Sequence, residues 1–120
     1  MVTISSAGMP PIFIYRKGRE EVEEILLKGM PLGSAKIFPY ELVETELKRG
    51  DLLFLYSDGL PELFNSKKEL LGYKKIKTEF EKVVKESPSN VISSFKKLIN
   101  SWKGELEIND DITFVVIKKK

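Results

Sequence analysis

Two short stretches of the sequence place carboxylates next to apolar runs. DLLFLYSDGLPELF (residues 51–64) ends its apolar run at Asp58, and INDDITFVVI (residues 108–117) enters its apolar run through Asp110 and Asp111. If the two runs are neighbouring central strands, Asp58 and Asp110 can converge at one end of a sheet. Because the chain has no histidine and no cysteine, the ion that suits such a carboxylate pair is a hard one, Mg²⁺ or Mn²⁺.

Each of these acidic residues also has an interpretation that needs no chemistry. Ser-Asp-Gly is a common turn sequence, and Asp58 could instead cap a helix that starts near Leu60. Asp110 and Asp111 could be solvated residues that guard the start of a hydrophobic strand. Glu62 could support a site or be a first-turn acid favoured by the helix dipole. On these residues alone, a metal site and ordinary turns remain alternatives.

Strand geometry distinguishes Asp110 from its neighbour Asp111. Successive side chains of a strand point to opposite faces, so Asp110 shares its face with Phe114 and Val116 and is predicted to face the core. A core-facing carboxylate is costly unless it is paired or bound to a cation. This cost favours Asp110 over Asp111 as a metal ligand.

The composition excludes several other kinds of protein. Without histidine or cysteine, the chain cannot form a Ser-His-Asp or Cys-His catalytic site, a disulfide, or a zinc site built on those residues. It contains neither GxGxxG nor the GxxxxGK loop of nucleotide-binding proteins. A net charge of +2 is too small to indicate a nucleic-acid partner. No stretch approaches the ~18 apolar residues of a membrane span, and the absence of cysteine fits a cytoplasmic protein.

The first half of the chain has the composition of strands. β-branched and aromatic runs predict strands at residues 2–6, 11–16 and 21–29, although the pattern of the last also allows a helix. Alternation at residues 43–47 predicts a half-buried strand. The short turn around Asp51 then leads into LLFLY, and the two strands that it joins are predicted to form a hairpin. LLFLY is apolar throughout and is predicted to be a central strand covered on both faces.

The last third of the chain changes to helical spacing. Apolar residues recur every three or four positions over residues 73–84 and 91–102, which predicts two helices. Ser87 is suited to cap the second helix and Gly104 to close it. ITFVVI then returns to strand. The order of elements predicts one α+β domain over residues 1–120, with an antiparallel sheet and helices on one face.

Five segments follow one another in a recognisable order: SAGMPPIFIYR, GMPLG, LKRGDLLFLYSDGLPELFN, LLGYKKI and DDITFVVIK. Together they resemble the C-terminal half of the bacterial serine/threonine phosphatase domains of the SpoIIE/RsbU type, in the metal-dependent, type-2C-like phosphatase superfamily. The resemblance extends over essentially the whole chain and is most specific in GDLLFLYSDGLPE followed by DDITFVVI. It implies an antiparallel β-sandwich with flanking helices, of which residues 1–120 form the C-terminal part, with no second domain.

The same resemblance implies a two-metal centre at one end of the sandwich. Two ions of Mn²⁺ or Mg²⁺, about 3.5–4 Å apart, activate a water for in-line attack on a phosphoserine or phosphothreonine. In the family scheme Asp58 and Asp110 ligate one of the ions, and Asp111 is a further candidate ligand. Gly59 allows close backbone approach beside the site. The implied substrate is a phosphorylated regulatory protein of the anti-anti-sigma type, and neither a nucleic acid nor a membrane is expected as a partner.

The chain also departs from the family pattern. The family's Gly-Asp-x-x-Gly-His-Gly motif, whose aspartate bridges both metals, has no match, since the chain has no histidine. Met9 stands where many relatives have His, and Pro61 stands where a hydroxyl residue is common. We therefore expect weak metal binding and negligible activity from this chain alone. Sheet edges left uncovered in a half sandwich lead us to expect a homodimer or strand exchange.

Two other functions compete with the phosphatase interpretation. A degenerate phosphatase fold could act as a non-catalytic module that binds a partner protein, and the missing motif favours this function for the isolated chain. The sequence upstream of this chain discriminates the two, because an in-frame Gly-Asp-x-x-Gly-His-Gly segment supports the enzyme. A small nucleic-acid binder would have to rely on the lysines, and the nearly neutral charge argues against it.

Overall fold

The computed structural model describes residues 1–120 as six strands and two helices. Every strand and helix predicted from the sequence is present, with bounds that differ by a few residues, and the run at 21–29 contains a strand. In chain order the elements are β1 (Val2–Ile4), β2 (Ile12–Arg16), β3 (Glu21–Ile25), β4 (Val43–Thr45), β5 (Leu52–Tyr56), α1 (Gly72–Val83), α2 (Pro88–Lys103) and β6 (Phe114–Lys118).

The strands form two antiparallel sheets. The larger has the order β3-β2-β5-β6, and the smaller pairs β1 with β4. β5 lies between β2 and β6, with Phe54 opposite Phe13 on one side and Val116 on the other, so LLFLY is the central strand that the sequence predicts. The predicted hairpin between β4 and β5 is wrong. Both faces of β5 must be covered, and the smaller sheet covers one of them. The turn before Asp51 therefore carries the chain from β4 in the smaller sheet into β5 in the larger sheet.

The central strands of the larger sheet, β2 and β5, are buried on both faces. On one face Phe54 stacks against Phe80 of α1 and Phe95 of α2, with ring centroids 5.3 and 4.5 Å apart. On the opposite face Leu53 of β5 belongs to a second cluster, close to the smaller sheet. Its other members are Ile4, Ile12, Ile14, Leu27 and Leu47. The helices and the smaller sheet thus cover opposite faces, which makes an α+β sandwich with its helices on one side.

Local sequence explains the bounds of α2. The Asn90 amide donates to Ser87 Oγ (3.2 Å), Pro88 occupies the first helical turn, and Gly104 ends the helix with a φ of 57°. The predicted cap and stop are therefore confirmed. Neither helix has the length and hydrophobicity that crossing a membrane would require.

Candidate metal centre

Asp58 lies in the turn that follows β5. The Leu60 amide donates to the Ser57 carbonyl (3.2 Å), and the Glu62 amide donates to the Asp58 carbonyl (3.1 Å). These bonds close successive tight turns, and no helix forms at this point of the chain. The alternative that Asp58 caps a helix near Leu60 is therefore wrong.

This turn rests on a well-packed base. Leu60 and Leu63 are buried in the helix-side core, and Trp102 Nε1 of α2 donates to the Leu63 carbonyl (2.9 Å). From the other side, the Asn109 amide group donates to the Glu62 carbonyl (3.5 Å). The backbone that carries Asp58 is thus held both by the core and by the loop that precedes β6.

Asp110 lies in that loop and is exposed to solvent. β6 begins only at Phe114, so the strand alternation does not extend to Asp110, and the prediction that it faces the core is wrong. The alternation does hold within β6, where Phe114 and Val116 pack against the helix-side core. The Asp111 amide donates to Asp110 Oδ1 (2.8 Å) and thereby orients the carboxylate.

Ser57 and Gly59 hold the two acidic segments together. The Ser57 amide donates to the Thr113 carbonyl (2.8 Å), and the Thr113 amide donates back to Ser57 Oγ (2.9 Å). Gly59 is buried against the backbone of Asp111. A Cβ at Gly59 would overlap the Asp111 carbonyl oxygen and lie 2.9 Å from its carbonyl carbon. Close backbone approach at this point therefore requires glycine.

Three carboxylates converge where these segments meet. Asp58, Glu62 and Asp110 each bring an oxygen to within 4.8 Å of the other two. All three side chains are exposed, and none of them forms an ion pair with a lysine or arginine. Uncompensated carboxylate oxygens at this spacing suit Mg²⁺ or Mn²⁺, which prefer oxygen ligands. The donor set therefore fits a divalent cation.

The cluster differs in one member from the residues that the sequence singled out. Asp58 and Asp110 are brought together, whereas Asp111 is not part of the cluster and contributes its backbone to the loop. Glu62 is part of it, although the sequence left open whether it supports the site or is only a first-turn acid. Its spacing of four residues from Asp58 within a turn is the signal that could have identified it, because that turn returns the chain to the same side.

The end of β5 also carries a buried hydroxyl that has no partner. Tyr56 is 4% exposed, its ring stacks on Phe13 and Phe54, and its hydroxyl makes no hydrogen bond. Burial raises the pKa of the Tyr56 hydroxyl, and the neighbouring Tyr73 and Glu24 raise it further. The hydroxyl therefore stays protonated at neutral pH and is available as a donor.

A family model matches the chain over its whole length. The model described as Stage II sporulation protein E (SpoIIE) covers residues 1–120. Two proteins of Bacillus subtilis (strain 168) are 28% identical to the chain. The match to phosphoserine phosphatase RsbU covers 98% of this chain and 35% of the relative. The match to stage II sporulation protein E covers 92% of this chain and 13% of the relative. The chain thus spans about a third or less of the length of the curated relatives that it matches.

Solved structures show the same fold. The SiaA-PP2C domain of Pseudomonas aeruginosa superposes with a TM-score of 0.75 at 20% identity, over 92% of this chain and 43% of that one. The PP2C phosphatase domain of SpoIIE from Bacillus subtilis gives a TM-score of 0.72 at 24% identity, over 97% and 33%. The α+β sandwich described above is therefore the PP2C-type phosphatase fold, as the sequence predicted, over the part that this chain spans.

Proposed function

The chain belongs to the Stage II sporulation protein E (SpoIIE) family, and from this premise we propose that it is the C-terminal half of a metal-dependent protein serine/threonine phosphatase domain. The relative named phosphoserine phosphatase RsbU and the PP2C-type fold support this class of reaction. The observation that carries the proposal is the convergence of Asp58, Glu62 and Asp110 at one end of the larger sheet.

In the proposed site Asp58 and Asp110 ligate one ion, and Glu62 offers a third oxygen. Asp111 is a further candidate that would act through a water molecule. The ions are proposed to be Mn²⁺ or Mg²⁺, and the solved SpoIIE phosphatase domain described as Mn presoaked supports manganese. When bound, a two-metal centre supplies an activated water for in-line attack on a phosphate ester.

The residues of the chain itself orient and expose this site. The paired hydrogen bonds between Ser57 and Thr113 fix the distance between the two acidic segments, and the Asp111 amide orients the Asp110 carboxylate. Because Asp58 and Asp110 are exposed, a phosphorylated side chain on another protein can reach them without any opening of the fold.

The proposed substrate is a phosphorylated regulatory protein of the anti-anti-sigma type, acting in the cytoplasm. The family's metal-bridging aspartate is not within this chain, so we propose that the chain alone has negligible phosphatase activity. For the isolated chain, the same missing motif favours the alternative, a module that binds a partner protein without catalysis. Joining the chain to a segment that carries the motif discriminates the two, because only the enzyme would then hydrolyse a phosphoserine peptide.

Mn²⁺ binding tests the proposed site directly. Mn²⁺ is expected to broaden the amide signals of residues 57–62 and 109–111 before those of other residues. Asp58→Asn and Asp110→Asn should each weaken this effect at least about tenfold, the lower bound for losing even a supporting hydrogen bond at a metal site. Paramagnetic line broadening in amide spectra measures both where Mn²⁺ binds and how far each substitution weakens the binding.

The matched control for this titration is Glu81→Gln, which removes an exposed carboxylate of α1 that forms no ion pair. It should leave Mn²⁺ binding unchanged. Broadening that is spread over surface glutamates, and is the same in both aspartate variants, would contradict the proposed site.

Ser57→Ala should loosen the site without removing a ligand. The substitution deletes the acceptor of the Thr113 amide, so we expect the free energy of unfolding to fall by about 1 kcal/mol. Mn²⁺ affinity should fall about tenfold, because the group that orients the ligand-bearing segments is lost. Chemical denaturation and the Mn²⁺ titration measure the two effects. Ser57→Thr keeps the hydroxyl and should retain the affinity, so equal affinities of the alanine and threonine variants would refute this role.

A further inference from the structure

A cleft opens beside the carboxylate cluster and shares Asp58 and Glu62 with it. Its volume is about 370 Å³. The rest of its lining comes from the end of β3, from the turn before β2 and from the start of α1. Its residues there include Glu24, Leu26, Met9, Pro10, Pro11 and Tyr73.

All the charged residues that line the cleft are acidic. Asp58, Glu62 and Glu24 supply three carboxylates, and no lysine or arginine lines the cleft. Glu24 forms no ion pair, whereas its neighbours Glu21 and Glu23 on β3 are paired with arginines. If Asp58 and Glu62 bind a metal ion, Glu24 remains the one uncompensated carboxylate among the lining residues, and it favours a cation in the cleft.

The other side chains that line the cleft are mainly apolar. Met9 is 48% exposed and Tyr73 is 47% exposed, and Leu26 is more exposed still. An apolar wall that ends in a carboxylate complements a lysine or arginine side chain, whose hydrocarbon stem packs on apolar surface while its charged head reaches an acid. A glutamate or aspartate in this position would be repelled by the uncompensated carboxylate of Glu24.

We propose that the cleft binds the residue next to the phosphoserine of the substrate, and that this residue is a lysine or arginine whose charged head pairs with Glu24. The inference rests on the proposed function, because the phosphoserine itself is assigned to the carboxylate cluster. It makes Glu24 a specificity-determining residue for a basic phosphoprotein segment.

Peptide binding by the full chain tests this assignment. Two short phosphoserine peptides, identical except for arginine or glutamate on both sides of the phosphoserine, are titrated in the presence of Mg²⁺ and followed by amide chemical shifts. The arginine peptide is expected to bind about fivefold more tightly, as one exposed ion pair gives. Glu24→Gln should bring this ratio close to one, and Glu24→Lys should invert it.

Glu44→Gln is the matched control, because Glu44 is an exposed carboxylate of β4 that forms no ion pair and lies outside the cleft. It should keep the arginine preference. Equal binding of both peptides by a chain that binds Mn²⁺, or a preference that survives in Glu24→Lys, would overturn this inference and leave the proposed function in place. The unphosphorylated peptides separate the two ideas: a chain that binds no Mn²⁺ but still prefers arginine through Glu24 would refute the metal site and support the specificity of the cleft.

Discussion

Gly59→Ala is expected to lower the free energy of unfolding by about 3 kcal/mol, the upper end of the usual cost of overpacking. The new Cβ would overlap the carbonyl oxygen of Asp111, which is backbone and cannot rotate away. The segment that carries Asp110 must then move away from the turn that carries Asp58. Mn²⁺ affinity should therefore fall as well, by more than the tenfold or so expected for losing a supporting hydrogen bond.

Thermal and chemical unfolding measure the first effect, and the Mn²⁺ titration measures the second. Gly18→Ala is the matched control, because a Cβ at Gly18 meets no atom within 4 Å and its φ is not in the left-handed region. That variant should change the free energy of unfolding by less than about 1 kcal/mol. If Gly59→Ala bound Mn²⁺ as tightly as the unsubstituted chain, the two segments would not need this contact to form the site.

Asp51→Asn is expected to destabilise the fold by about 3 kcal/mol, as removal of one partner from a buried charge pair does. The Asp51 side chain is 3% exposed, and its oxygens accept hydrogen bonds from the amides of Lys17 (3.0 Å) and Lys48 (2.9 Å). Arg16 Nη1 lies 3.4 Å from Oδ2. The amide group of asparagine would turn an N–H toward one of these donors, so at least one would lose its acceptor.

The decrease in the free energy of unfolding that Asp51→Asn causes should depend on pH. Burial alone would raise the pKa of the Asp51 carboxyl, but the amides of Lys48 and Lys17 and the Arg16 guanidinium together hold it below its ordinary value of 3.8. A carboxylate whose pKa is lower in the folded chain than in the unfolded chain stabilises the fold fully when the pH is above its unfolded-state pKa. This stabilisation is lost as the pH falls through the folded-state pKa. The difference in unfolding free energy should therefore be constant above about pH 5 and shrink as the pH falls below 4.

Urea unfolding at a series of pH values measures this difference. Glu81→Gln removes an exposed, unpaired carboxylate and should show neither the destabilisation nor the pH dependence. A difference that stays constant down to pH 3 would show that the ionised carboxylate of Asp51 is not what stabilises the contacts with Lys17 and Lys48. The sequence had suggested no more for Asp51 than a residue of an ordinary turn.

Patterns within single segments predicted the elements of this fold well. LLFLY is apolar at every position, and β5 is indeed buried on both faces between β2 and β6. Ser87 and Gly104 predicted where α2 begins and ends. These properties depend on side chains a few residues apart, so they can be recognised without knowing what the segment packs against.

Pairing between distant segments could not be predicted in the same way. A short turn before β5 is compatible with a hairpin, but β4 pairs with β1 because the apolar far side of β5 needs a covering layer. Asp110 was assigned to a face of β6, yet the strand begins at Phe114. Its closeness to Asp58 comes instead from the pairing of Tyr56 with Phe114, and from the Ser57–Thr113 bonds beyond it.

The kinds of elements, the family resemblance and the two stretches that carry the carboxylates could all be predicted from the order of residues. The folded chain was needed to show that Glu62 joins Asp58 and Asp110, that Asp51 is buried, and that Glu24 lines the same cleft. The type of an element depends on neighbouring residues, whereas burial and proximity depend on which remote segments pack together. A carboxylate gains a role in binding or stability only from that packing.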